Sequence, residues 1–154
     1  MKKIDHHYTE SGLKNVVISG IPVEVDDDGD EIITIPAINE LHHVIALGIV
    51  SHPKGISGDE LRFLRTEMGL TQAELASMVH RDKQSIGRWE RGEIDIDSPV
   101  EAIIRRMAIE KLNLPADVGM DELSRWSIPT AEPQLISVEK VESASEPYVL
   151  VAAA

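Results

Sequence analysis

The sequence predicts an α+β protein. A small N-terminal β-rich segment plus a helix is followed by an all-α bundle of short helices and an irregular C-terminal tail. Three observations predict this. Short apolar runs flank an Asp-Gly pair between residues 16 and 35. Apolar residues then recur at helical spacing, with capping residues in register, through residues 37–50 and 57–112. Beyond residue 113 the periodicity fades, and Pro129 and Pro133 interrupt what remains. The expected division is 1–53, a β-hairpin/helix region for a partner or for dimerisation; 57–112, the helical domain; and 113–154, a partly flexible extension.

In the first region, Val16–Ile18, Ile21–Val25 and Ile32–Ile35 read as strands. The last two flank Asp26, Asp27, Asp28, Gly29 and Asp30, a hairpin turn signal. The acidic cluster invites a calcium reading, but the loop spacing puts Ile35 where a liganding carboxylate is needed, so a solvated hairpin tip is expected. After Pro36, residues 37–50 read as a helix with Ile38, Leu41, Ile45 and Ile49 on one face. His42 and His43 are neighbours and point apart on a helix. With no cysteine and no histidine pair at ligand spacing, no metal is expected.

Residues 51–56 form a linker with Pro53 and Gly55. Ser57 and Glu60 form a capping box for a helix that buries Leu61, Leu64 and Met68 and stops at Gly69. Thr71 and Glu74 repeat the device, and Leu75, Ala76 and Val79 form the next stripe. His80-Arg81-Asp82 breaks the period. A second short helix turns Ile86 and Trp89 inward and stops at Gly92. This is a helix-turn-helix pattern, in which the second helix can enter a DNA major groove. A helix capped by Ser98, with Pro99 at its first position, follows. Its Ile103, Ile104 and Met107, with Leu112, suit either a dimer contact or closure of the bundle. Residues 121–126 add a helical turn around Leu123 and Trp126, and residues 134–141 alternate weakly, as a strand would. The end, Tyr148–Ala154, is open to three readings: a degradation tag, an edge strand or a frayed tail.

The pattern Leu70 to Ala76, then Ser85-Ile86, then Arg88 to Gly92 resembles the Xre/Cro, phage-repressor-like class of helix-turn-helix. The turn departs from it: His80 stands where that class carries Gly, and Arg81 where it carries an apolar residue. A wider likeness is to MqsA/YgiT-type antitoxins and transcriptional regulators. It runs from Tyr8–Leu13 through Ile35-Pro36, Leu41-His42, Ile45-Ala46, Ile49-Val50 and Ser57–Arg65 into the helix-turn-helix. Those proteins commonly carry zinc-knuckle cysteines. Tyr8 and Ser11 stand in those places here, so the zinc site is not carried over. The resemblance implies an ion pair between Arg65 and Glu90. It also implies base reading by Lys83, Gln84 and Arg88, with phosphate held by Gln72, Ser85 and Arg91. Arg81 is a further phosphate candidate. Outward Gly87 is expected to permit close approach to the DNA backbone, and Asp82 to lie near the groove.

The net charge of −12 runs against DNA binding until it is mapped along the chain. Residues 81–92 hold four bases (Arg81, Lys83, Arg88, Arg91) against two acids (Asp82, Glu90), so the acidity lies mainly outside the reading helix. No nucleophile–base pair, phosphate loop or metal set stands out, so no enzyme and no cofactor is expected. The absence of cysteine, of an apolar run behind Met1-Lys2-Lys3 and of a membrane-spanning stretch predicts a cytoplasmic protein that does not engage a membrane. The reading is a sequence-specific regulator, expected to repress its own promoter as a homodimer on a palindromic DNA operator. The alternative is an antitoxin whose N-terminal region neutralises a toxin protein.

Overall fold

A computed structural model describes residues 2–128 and 134–151 and is a mixed α+β fold. It divides into two compact units, one of residues up to Ile45 together with those from Leu135 on, the other of Ala46–Gln134. Pro129, Pro133 and the Ala152–Ala154 part of the tag-like end lie outside the described residues.

The first unit is a five-stranded sheet of β1 (Lys3–His7), β2 (Val16–Val25), β3 (Glu31–Ile33), β4 (Ile136–Lys140) and β5 (Tyr148–Leu150). The order is β1-β2-β4-β5, with β3 also paired to β2. The expected hairpin forms between β2 and β3, and Asp26 organises its turn by accepting the Asp28 and Asp30 N–H groups. The two apolar runs at 16–18 and 21–25 are one strand. A strand alternates faces with period two, so Val16 and Ile18 would not share a face with Ile21 and Val23. Gly20, at φ +79°, supplies the extra residue, the register slips by one against β1, and all four side chains point inward. The C-terminal segment joins this sheet. β4 pairs in parallel with β2 (Val16 opposite Ile136), and β5 pairs antiparallel with β4. The described part of the chain's end thus takes the strand among its three readings.

Tyr8 and Ser11 flank a 3-10 turn, Thr9–Ser11, that ends at Gly12. The Tyr8 hydroxyl is 2.9 Å from His42 Nε2, and Ser11 Oγ donates to the Tyr8 carbonyl at 2.7 Å. Two oxygen groups committed to hydrogen bonds do not fit a zinc knuckle. Helix α1 (Ile38–Val50) buries Leu41, Ile45 and Ile49. Ile38, expected on that face, is 42% exposed because it opens the first turn.

The second unit holds α2 (Gly58–Glu67), α3 (Gln72–Met78), α4 (Lys83–Glu90), α5 (Ser98–Lys111) and α6 (Met120–Trp126). Both expected capping boxes form at α2 and α3. Helices α2, α3, α4 and α5 end alike: Gly69, His80, Gly92 and Asn113 take the left-handed conformation, and the next N–H reaches back five residues to a carbonyl. At α5 the start shifts by one residue, with Asp97 as N-cap and Pro99 second in the helix. The core is aliphatic, with Leu61, Leu64, Leu75, Ile86 and Ile104 fully buried and Phe63 and Trp89 nearly so. Met68, expected in the buried stripe, is only half-buried, whereas Phe63 is buried.

Sequence periodicity gave no sign of one feature of this core, a fully buried Arg105. Its guanidinium donates to the carbonyls of Val50, His52 and Lys54, lies 3.5 Å from Glu101, and sits 5.7 Å from the Trp126 ring. Glu101 in turn accepts the Ile56 N–H. The linker 51–56 is therefore fastened to α5 through backbone carbonyls, which sequence patterns do not display.

Candidate nucleic-acid interface

Helix α4 is placed by backbone and by one buried carboxylate. Gly58, first in α2, lies against the end of α4, and a Cβ there would come 2.3 Å from the Trp89 carbonyl oxygen. Only a glycine allows that approach. Glu90, 7% exposed, accepts Arg65 Nε at 2.6 Å and Nη2 at 3.0 Å, a forked pair that locks α4 to α2. Glu90 also accepts the Gln72 amide at 3.0 Å, which ties the start of α3 into the same node. The Arg65–Glu90 pair implied by the family resemblance is thus present, and Gln72 is its third member.

The turn into α4 is set by His80. At φ +56° it makes the bend usually given to Gly, and the Arg81 N–H returns to the Ala76 carbonyl at 2.9 Å. An L-residue in this conformation costs about 1 kcal/mol. Asp82 is the N-cap of α4 and accepts the Ser85 N–H at 2.7 Å. That bond and one from the Ser85 side chain hold the Asp82 carboxyl below its ordinary range.

A shallow recess opens on the outer face of α4. Gln72, Lys83, Gln84, Gly87, Arg88 and Arg91 line it. Five of the seven expected site residues therefore come together: Gln72, Lys83, Gln84, Arg88 and Arg91. Lys83, Gln84 and Arg88 are exposed along one side. Arg81 and Ser85 do not line the recess. Arg81 is paired with Asp97 at 3.1 Å, and Ser85 is half-buried beside its cap.

Gly87 differs from expectation. It is buried, and the space over it is filled from within the protein. A Cβ there would lie 3.0 Å from Arg91 Nη1 and 3.7 Å from Gln72 Oε1. The glycine makes room for an arginine and a glutamine to lie across α4. Arg91 is held over it by Glu93, whose carboxylate accepts Nε at 2.9 Å and Nη2 at 3.3 Å. The turn at Gly92 brings Glu93 back into reach, since its N–H bonds the Arg88 carbonyl at 2.9 Å. Sequence reasoning missed Glu93; its place right after the helix-stopping Gly92 was the available signal.

Residues 61–100 match the model of a helix-turn-helix family, a span that runs from α2 into α5. No curated protein and no solved structure matches the chain. The family match supports a DNA-binding regulator. Among the described residues, no helix is long and apolar enough to cross a membrane.

Proposed function

We propose that this protein is a sequence-specific repressor that binds a palindromic operator in its own promoter as a homodimer, with half-sites about one helical turn apart. The observation that carries the reading is the recess on α4, where Gln72, Lys83, Gln84, Arg88 and Arg91 converge. Arg or Lys pairs with the O6 and N7 of guanine, and Gln with the N6 and N7 of adenine. Lys83, Gln84 and Arg88 are assigned to base edges. Gln72, Ser85, Arg91 and Arg81 are assigned to phosphate, the last once Asp97 is displaced.

One recognition helix offers too little contact for tight binding, so two copies are required. An apolar groove lined by Met78, Ile103, Met107 and Met120 fits that need, and Arg106, Glu110 and Lys111 rim it. Ile103 is 44% exposed whereas Ile104 is fully buried, so one α5 isoleucine closes the bundle and its neighbour faces out. A rim carrying both charge signs can complement itself across a twofold axis, which favours a second copy as occupant. Anisotropy titration on the DNA upstream of the gene tests the reading. Lys83→Ala or Arg88→Ala is expected to cost about 1–3 kcal/mol and to relax preference at one base position. An unchanged base preference in both variants would overturn the assignment.

The antitoxin reading has its own support. The strand-rich unit carries twelve acidic side chains against four basic ones. That balance suits a basic protein partner. Co-purification with a small basic protein encoded by the adjacent gene is the expected result under this reading; its absence there rejects it.

A further inference from the structure

A second cleft adjoins the recess, lined by Arg62, Arg65, Gln72, Gly87, Glu90 and Arg91. Its cations are not equivalent. Arg65 is consumed by buried Glu90. Arg62, exposed on α2, makes no ion pair or side-chain hydrogen bond among the described residues. Arg91 presents a guanidinium fork, occupied by the two oxygens of Glu93. That pairing raises Arg91 and lowers Glu93 from their ordinary values. A planar fork bound by two carboxylate oxygens offers the same donors to two phosphate oxygens.

We propose that this cleft is a phosphate seat for the DNA backbone, in which Arg62 and Arg91 are the two cations and Glu93 stands in for phosphate until DNA displaces it. The proposal rests on α4 being the DNA-reading helix. It extends the footprint onto α2, outside the helix-turn-helix proper. It also assigns Glu93 a role in setting overall affinity. A carboxylate that must be displaced penalises every DNA equally, so it lowers binding to all sequences without changing the ratio between them, and only sites that add base contacts remain tightly bound. An acidic protein thereby avoids spending its few cations on random sequence.

The test uses the full chain, with the upstream DNA and a scrambled duplex of equal length, across a salt series. Arg62→Ala is expected to weaken binding to both duplexes alike, about eightfold at 0.1 M salt, and to reduce the log–log salt slope by about one. Arg62→Lys should recover most of the slope. Glu93→Gln is expected to tighten binding to both duplexes about two- to fivefold, the weight of an exposed ion pair. Both residues are exposed, so melting curves near wild type are expected and exclude a folding effect. An Arg62→Ala variant with the wild-type slope removes Arg62 from the seat. A Glu93→Gln variant that binds no tighter removes the stand-in. Either result overturns the proposal while operator binding by the wild type stands. A wild type that binds neither duplex instead fails the reading beneath it.

Discussion

Replacing Gly87 by alanine should move stability and DNA affinity in opposite directions. A glycine inside a helix costs about 1 kcal/mol against alanine, so the substitution begins with a gain of that order. The added Cβ meets Arg91 Nη1 at 3.0 Å and Gln72 Oε1 at 3.7 Å. Both are ends of flexible side chains. The guanidinium can shift by a few tenths of an ångström, at a small cost, because its pair with Glu93 is fully solvent-exposed and screened. The net effect on folding is therefore a stabilisation of up to about 1 kcal/mol. The recess fares differently. The methyl lifts its floor and shifts Arg91 off its place over α4, while Gln72 at 3.7 Å stays in ordinary contact, so one phosphate contact is weakened or lost. DNA affinity should fall by about 1–3 kcal/mol, with a salt slope shallower by about one per lost contact. Urea titration gives the first quantity and fluorescence anisotropy the second. A variant that is more stable and binds the upstream DNA as tightly as wild type would refute the reasoning, because Gly87 would then not be holding that space open.

Three further outcomes follow from the buried polar groups. Glu90→Ala leaves the Arg65 guanidinium without its carboxylate and should cost about 3–5 kcal/mol in urea denaturation, whereas replacing both partners by apolar residues should cost much less. Arg105→Met strands the Val50, His52 and Lys54 carbonyls and leaves Glu101 uncompensated, for a comparable loss by the same measurement. His52 gives a pH signature. Burial, then the charge of Arg105, lowers it from 6.5 to about 4, and Glu60 faces it at 3.9 Å. A depressed histidine resists protonation only in the folded state, so its stability contribution is complete above pH 6.5 and is lost as pH falls toward 4. The wild type should lose up to about 1.4 kcal/mol per pH unit more than His52→Gln across that window. Burial raises Glu101, which acts with the opposite sign in both proteins and largely cancels in the difference.

What the sequence disclosed was local. The boxes Ser57–Glu60 and Thr71–Glu74, the stops at Gly69 and Gly92, and the Asp28-Gly29 hairpin each depend on residues a few positions apart, and each formed. His80, marked by the resemblance only as a departure from Gly, nevertheless makes the left-handed turn. The parallel pairing of β2 with β4 was not, because Val16 and Ile136 meet only through a crossover that contains the whole helical unit. Period-two alternation was hidden in β2 because Gly20 shifts its phase midway. Nothing in the spacing of α5 singled out Arg105 and Glu101. Their burial depends on carbonyls of the linker, which no side-chain pattern records. In the recess, the residue types pointed to side chains that the fold brings together on α4, and the resemblance supplied the Arg65–Glu90 pair, but neither pointed to Glu93 over Arg91 nor to the bond from Gln72 to Glu90.

The most direct test of the central claim is a binding titration of the purified protein on the DNA immediately upstream of its gene, beside a scrambled duplex, from low to physiological salt. A recognition helix reading base edges predicts binding to the upstream DNA that survives the higher salt while the scrambled duplex is released. Weak binding, equal on both and lost together as salt rises, would contradict it and leave α4 as scaffold rather than reader.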